Sequence, residues 1–380
     1  MNKKIRFGIF IFLVCLYLIL SPILIFYSLG YRFDFKDFKI VSTGGIYLKT
    51  WPQDVQISVD GKISKKTGIF SNESIVQGLF PKKHAIIVEK DGYFSWEKIL
   101  EVIDQEITRV ENVTLIKKDV RFSRTATEPA GTSSFKDTEN TILSTYPNYQ
   151  GANGSFVIKG DALFLAGQEE TPLLGDVITY IVYKNQLFWL ADDGILYQSD
   201  LAGRNKRKVS EIPLAIKKDR TYKIIINSPF TFVKDNDNLL ILNQKTKDFE
   251  TYYNSVTNLK FSQDGSRFLY FNDHEIFFSY SNNPGEKILI TRFRDKIGDC
   301  YWFNNDYVIF NLGPQIKISE IDIRDKINIV DLAQTITVDS IGYSLSATPE
   351  IFFDEANKVL YISSDNNTFI SEPLTDKNNK

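Results

Sequence analysis

The chain has 380 residues, 43% hydrophobic and 14% aromatic, with 45 Lys+Arg set against 47 Asp+Glu. A formal charge of -2 excludes the strongly basic surface that nucleic-acid binding requires, so nucleic acid is not expected as a partner. Two cysteines, Cys15 and Cys300, give no disulfide framework, and stability must come from packed apolar surface.

Lys3, Lys4 and Arg6 precede an uncharged apolar run from Phe7 to Tyr27. As a helix rising about 1.5 Å per residue, that run spans about 31 Å, the thickness of a bilayer core. Residues 1–30 therefore read as a cytoplasmic stub and a transmembrane anchor in contact with membrane lipid. Three basic residues lie before the run, whereas Asp34 and Asp37 mix with Arg32 and Lys36 after it. The positive-inside bias then keeps the amino terminus in the cytoplasm and predicts a single-pass cell-membrane protein with an extracytoplasmic C-terminal domain. A cleaved signal peptide is the competing reading, but its apolar core is only ~7–15 residues long and needs a small-residue cleavage site. Ser28-Leu29-Gly30 approximates one weakly. Pro22 is tolerated in a membrane helix.

Beyond the anchor, 29 Phe and 19 Tyr among many Ile, Val and Thr predict strands, and no long 3.6-residue periodicity competes. Residues 44–116 break into short alternating segments. Val55, Ile57 and Val59 run into Asp60-Gly61, a dipeptide suited to a hairpin turn with φ > 0 at both central residues. Ile86 and Val88 lead to the turn Lys90-Asp91-Gly92, after which Phe94, Trp96, Leu100 and Val102 share one face, with Lys98 the exception. Such strands predict a small sandwich.

The order Gly45-Ile46-Tyr47-Leu48-Lys49-Thr50, Pro52-Gln53-Asp54-Val55, Val59-Asp60-Gly61-Lys62, Gly78-Leu79-Phe80-Pro81 with His84, and Lys90-Asp91-Gly92-Tyr93 resembles a PEGA domain. Of the Pro-Glu-Gly-Ala tetrapeptide only the proline is kept, as Pro52, so the resemblance rests on the surrounding frame. It implies a β-sandwich module on an extracytoplasmic prokaryotic protein, used for binding or spacing rather than catalysis. Trp51, Tyr93 and Trp96 offer aromatic faces for stacking on a sugar ring. Trp96 is in phase with Phe94 and Leu100 and reads as core, which leaves Trp51 and Tyr93 as the ligand-binding candidates.

Residues 117–140 are polar and read as a linker, so fragments cut near Val120 are expected to fold separately. Across residues 141–380 a pattern of apolar residue, polar turn and buried strand recurs. Phe261-Ser262-Gln263-Asp264-Gly265-Ser266-Arg267-Phe268 is followed after 41 residues by Trp302-Phe303-Asn304-Asn305-Asp306-Tyr307-Val308 and after 51 more by Phe353-Asp354-Glu355-Ala356-Asn357-Lys358-Val359. Gln186 to Leu190, Asp192-Asp193-Gly194 and Asp200-Leu201-Ala202-Gly203 extend it upstream. Strand and turn at a period of about 40 suit propeller blades, about five to seven of them. The repeats resemble WD40-like and TolB-like β-propellers, although no Trp-Asp strand ending is present; a β-sandwich array is the alternative. The fold class expected is an all-β exterior, a small PEGA-like β-sandwich plus a β-propeller, with one N-terminal transmembrane helix.

Chemistry finds little material. His84 and His274 are the two histidines. Asp273 and Glu275 flank His274, but on a strand they would point to the opposite face, so a turn or surface strand is expected rather than a catalytic or metal cluster. Asp235-Asn236-Asp237-Asn238 lacks the Gly and the bidentate Glu of a calcium loop and reads as a turn. No phosphate loop and no G-x-S-x-G elbow occur, although two carboxylates of a glycosidase could sit on any acidic loop. No catalytic residue, metal ligand or cofactor is assigned. The function expected is a membrane-anchored extracytoplasmic binding or assembly scaffold of the prokaryotic cell envelope, with envelope glycan or envelope protein as partner and no enzymatic activity. A propeller enzyme, a glycan or peptide hydrolase or lyase, is the alternative; a cluster of acids or a metal at the propeller's central opening would favour the enzyme, and an apolar or mixed surface patch the scaffold.

Overall fold

A computed structural model of the chain describes residues 3–35, 37–68, 71–124, 156–167, 170–365 and 367–375. Residues 125–140 of the expected linker lie outside them. Two units form: residues 1–120 with 319–330 and 374–380, and residues 121–318 with 331–373.

The first unit opens with α1 (Lys3–Ser28), whose stretch from Ile5 to Ser28 has a mean hydropathy of 2.9 and is long and apolar enough to cross a membrane. A helix apolar on every side has no core-facing stripe, and its side chains from Ile5 to Tyr27 stay almost wholly exposed. Gly30, at φ +87°, ends it and turns the chain into a hairpin of β1 (Tyr31–Asp34) and β2 (Lys39–Ser42).

Seven strands follow: β3 (Gly44–Trp51), β4 (Gln56–Val59), β5 (Lys62–Lys66), β6 (Glu73–Leu79), β7 (Lys83–Glu89), β8 (Trp96–Glu101) and β9 (Ile107–Thr114). They make two sheets, ordered β6-β3-β9 and β5-β4-β7-β8. Ile46 and Leu48 from one sheet and Ile57, Ile86, Val88, Trp96 and Leu100 from the other share one core, so the module is a sandwich. Asp60 and Gly61 take φ of 50° and 75°, the hairpin turn that the dipeptide predicts.

Lys98 departs from the expected pattern in an informative way. It does not escape the core face of β8 but stays on it, 1% exposed between Trp96 and Leu100. Its Nζ lies 2.7 Å from Glu320 Oε1 and donates to the Asp322 carbonyl at 2.7 Å. Trp96 Nε1 donates to the other Glu320 oxygen at 2.7 Å, and Asn328 supplies two further donors at 2.8 Å. The amides of Glu97 and Ile99, on the free edge of β8, donate to Asn328 Oδ1 and Asp325 Oδ2. Residues 319–330 thus complete the sandwich unit, and a fragment ending near Val120 carries Lys98 without its counter-charge.

The second unit begins with β10 (Phe122–Arg124), a strand inside the segment read as linker, and the hairpin β11 (Phe156–Lys159) and β12 (Ala162–Leu165). Four antiparallel four-stranded sheets come next, each with its strands in chain order. They are β13 (Val177–Tyr183), β14 (Gln186–Ala191), β15 (Leu196–Asp200) and β16 (Arg207–Lys208); β17 (Tyr222–Asn227), β18 (Phe230–Asp235), β19 (Asn238–Leu242) and β20 (Phe249–Tyr253); β21 (Asn258–Phe261), β22 (Arg267–Phe271), β23 (Glu275–Tyr280) and β24 (Asn283–Arg292); β25 (Ile297–Asn304), β26 (Tyr307–Leu312), β27 (Gln315–Glu320) and β28 (Ile329–Ala333). A hairpin of β29 (Thr335–Val338) and β30 (Ile341–Ser344) precedes β31 (Glu350–Asp354), β32 (Val359–Ser364) and β33 (Asn367–Ser371). The fourth strand of that last sheet is β10, which pairs antiparallel with β33 from Phe122 opposite Ser371 to Arg124 opposite Phe369.

Each sheet packs against the next. Leu190 and Leu196 share a core with Ile224, Val233 and Leu240, and Phe232 and Leu239 share another with Leu259, Phe268 and Tyr270. Phe293 meets Phe310 at 5.4 Å between ring centroids, and Phe303 stacks on Phe353 at 5.3 Å. Burial on both faces explains why the central strands read as unbroken apolar runs: Trp189 faces the core shared with β11 and β12 while Leu190 faces the following sheet. Consecutive four-stranded meanders, stacked face to face and with the last sheet finished by an early strand, make the propeller of the expected fold class.

The three repeats that begin at Phe261, Trp302 and Phe353 fall on one structural position, the turn between first and second strands, whereas Asp192-Asp193-Gly194 and Asp200-Leu201-Ala202-Gly203 lie in the β14–β15 and β15–β16 connections. Asp264 Oδ1 accepts the Ser266 amide, Asn304 Oδ1 the Asp306 amide and Asp354 Oδ1 the Ala356 amide, each within 3.0 Å. The longer second interval arises because β29 and β30 are inserted before the last sheet.

Removal of one partner from a buried ion pair costs about 3–5 kcal/mol because the other charge is left in a poor medium. Glu320→Ala is expected to destabilise the sandwich unit by that amount in urea unfolding of the full chain; a loss under about 1 kcal/mol would show that Lys98 is neutralised some other way.

Candidate functional site

In an antiparallel four-stranded meander the turn after the second strand and the exit from the fourth leave by the same edge. The neighbouring sheets β17–β20 and β21–β24 therefore bring four such segments together. Asp237 comes from the β18–β19 turn, Ser255 and Thr257 from the β20–β21 connection, Asn272, Asp273, His274 and Glu275 from the β22–β23 turn, and Arg292, Phe293 and Arg294 from the end of β24. They line an open cleft of about 680 Å³.

Asn272 builds the central wall. Its Oδ1 accepts the amides of His274 and Glu275 at 2.9 and 2.8 Å, and its Nδ2 donates to Glu275 Oε2 at 3.0 Å. The Asn272 amide group first, then the Arg292 guanidinium, hold the Glu275 carboxyl below its ordinary value against the opposing effect of burial. Arg292 donates from Nε to Glu275 Oε1 at 2.7 Å, and Lys296 lies 3.0 Å from Asp273. Two of the three acids are thus answered at short range, and Lys234 stands 4.0 Å from Asp237. Arg294 and His274 are exposed, and among the described residues Arg294 enters no ion pair. The cleft offers two cationic or ionisable groups, an aromatic ring and the hydroxyls of Ser255 and Thr257.

This corrects one expectation. Asp273, His274 and Glu275 are not divided between two faces: Asp273 and His274 precede β23, in a turn where strand alternation does not apply, and all three reach the same cleft. Their turn was expected; their convergence was not, because it depends on the Asn272 side chain and on the neighbouring sheet. Among the described residues no group of three or more His, Cys, Asp or Glu is placed to hold a metal.

The other candidates lie in the sandwich unit. Trp51 is half-buried at the end of β3, where its carbonyl accepts the Leu115 amide at 2.6 Å. Tyr93 is half-buried against the sandwich core and bridges Lys117 through the backbone. Both therefore meet residues 115–117, and neither belongs to the cleft. Trp96 is core, 3% exposed, as its phase implies. His84 is structural: Nδ1 lies 2.8 Å from Asp60 Oδ2 and Nε2 2.9 Å from the Phe80 carbonyl, which pins the hairpin turn. Asn236 takes φ 50° in the β18–β19 turn, as the turn reading of residues 235–238 requires.

Turns between first and second strands leave by the opposite edge and hold a second ionisable group. Glu355 Oε1 is sealed from solvent and has no hydrogen-bond partner among the described residues. Burial pushes its carboxyl up to about 7, with Lys358 opposing and Asp264 and Asp354 reinforcing. Lys358, itself buried, donates to the Phe303 carbonyl at 2.7 Å and is lowered by burial. A carboxyl poised near neutrality suits proton transfer, but the sealed oxygen offers a substrate no approach.

No family model and no curated protein matches the chain. Among solved structures, similar chains include Hsv2 of Kluyveromyces lactis, at 12% identity and a TM-score of 0.40, with 89% of this chain and 77% of that one covered. PorZ, an essential bacterial surface component of the type-IX secretion system of Porphyromonas gingivalis, is similar at 15% identity and a TM-score of 0.35, over 59% of this chain and 33% of its own.

A carboxyl whose folded value is about 7, against an ordinary 4.5, adds stability below pH 4.5 that is lost as pH rises through 7. Glu355→Gln is therefore expected to raise the thermal midpoint at pH 8 and to leave it nearly unchanged at pH 4.5, a difference of about 1–3 kcal/mol. Equal midpoint shifts at both pH values would place the carboxyl in contact with water.

Proposed function

We propose that the protein is a membrane-anchored binding or assembly scaffold on the extracytoplasmic side of a prokaryotic cell envelope, with α1 as its single membrane span. The observation that carries this reading is the cleft: an open, mixed-charge surface made of turns and strand ends, held by sheets buried on both faces. Rigid strands fix where the turns stand, and turns supply the variable chemistry, an arrangement suited to recognition. The basic residues before the apolar helix support the orientation, and the PEGA-like frame of residues 45–93 supports a spacer or binding module next to the anchor.

The partner is an envelope polymer or protein that presents acidic groups, because Arg294 is the exposed cleft charge that no carboxylate answers among the described residues. Ligand is bound and not turned over. The alternative of a glycan or peptide hydrolase or lyase needs a pair of accessible carboxylates in one site; here Glu275 and Asp273 are occupied by Arg292 and Lys296.

Protease added to spheroplasts is expected to digest the β domains and spare the amino terminus; protection of the β domains would overturn the orientation. Full-length protein in detergent is expected to bind acidic envelope material saturably with no product on long incubation, and Arg294→Glu to weaken binding about tenfold or more. Cleavage of the bound material would replace the scaffold by the enzyme.

A further inference from the structure

The β1–β2 hairpin carries its apolar residues on the wrong side for water. Phe33 pairs with Ile40 across the ladder, and with Phe35 and Phe38 they stand 44%, 61%, 79% and 79% exposed. The adjacent pair Arg32 and Val41, on the other face, is half-buried, as is the pair Tyr31 and Ser42 nearest the helix. The three phenylalanines form a single patch, with Phe33 edge-on to Phe35 at 5.0 Å and to Phe38 at 6.2 Å. Each exposed aromatic leaves apolar surface in water, an arrangement that burial elsewhere would relieve. Among the described tip residues, Lys39 lies 2.9 Å from Asp37.

The hairpin is also held to the end of α1. Arg32 donates from Nη1 to the Tyr27 carbonyl at 2.8 Å and places its guanidinium 3.6 Å from the centre of the Tyr27 ring. Phe26 meets Tyr31 edge-on at 5.7 Å, and the Gly30 carbonyl accepts the Thr43 amide at 3.0 Å. A hairpin fixed to the last turn of a membrane helix cannot leave the level at which that helix emerges.

We propose that this hairpin is a membrane-interface element: Phe33, Phe35, Phe38 and Ile40 insert among the lipid headgroups and upper acyl chains of the bilayer that α1 crosses. The proposal rests on α1 being a membrane span, and its occupant follows from continuity with that span. Aromatic rings at helix ends favour this depth, and the inserted patch would set the height and tilt of the sandwich unit above the membrane.

The test uses full-length protein in vesicles of phosphatidylcholine and phosphatidylglycerol containing acyl-brominated lipid. Tryptophan is introduced by Phe35→Trp, Phe38→Trp or, as an anchor reference, Tyr17→Trp, and the unsubstituted protein gives the background of its native tryptophans. The added fluorescence of the two hairpin variants is expected to fall at least twofold with bromine near the headgroup, and that of Tyr17→Trp with bromine deep in the chain. Quenching of the hairpin variants by aqueous acrylamide but not by bromolipid, with Tyr17→Trp still quenched by lipid, overturns the hairpin proposal and leaves the anchor standing. Protection from both quenchers assigns the patch to a second copy and overturns it too. Failure of bromolipid to quench Tyr17→Trp removes the anchor and the hairpin proposal together.

Discussion

The sandwich depends on how one buried ammonium is satisfied. Lys98 occupies a core position of β8, and 224 residues separate it from Asp322, whose carbonyl it reaches. Glu320 supplies the charge, and the same carboxylate takes up the Trp96 indole, so a single side chain resolves two buried polar groups at once. The segment that brings Glu320 also covers the free edge of β8 through Asn328 and Asp325, which removes a row of donors that would otherwise invite another strand. Counter-charge, indole partner and edge cover arrive on one loop. Without it the module has a charge in its core and an open side, which is why contiguity in sequence is a poor guide to what folds together here.

Features that depend on near neighbours were legible in the amino-acid order. The uncharged run of α1, the Asp60-Gly61 turn, the core phase of Trp96 and the polar turns after Phe261, Trp302 and Phe353 all follow from residues within one helix or one hairpin. Features that depend on distant neighbours were not. Nothing near Lys98 announces Glu320, and three residues of β10 carry too little pattern to reveal their pairing with β33. The cleft is harder still, since its ten lining residues come from four separate segments. Strand alternation does not run through residues 273 and 274, because Asn272 ends the ladder by capping the backbone, a local signal that an Asn-Asp-His sequence between two apolar runs does carry.

Two kinds of surface result from the same economy of burial. Propeller sheets bury both faces, so chemistry is confined to their turns and strand ends, and the neutral Asn272 that shapes one turn stands among the charged residues of the cleft. The hairpin after α1 does the reverse and turns its apolar residues outward, next to a helix that is apolar on every side. A polar surface and an apolar one are thus written into a single chain by where phenylalanine is left exposed.

The pairing of β10 with β33 has a consequence for synthesis. The ribosome makes Phe122 long before Ser371, so the native partner of β10 does not exist until every intervening sheet has emerged. A ring joined in this manner cannot be sealed progressively; it acquires its final hydrogen bonds in a late step. A polypeptide that stops before Phe369 would keep a nearly full set of sheets but lose most of the strand that lies between β10 and β32, leaving both of them with an open edge. For this chain, premature termination by about a dozen residues opens a sheet on two sides rather than removing a mere tail.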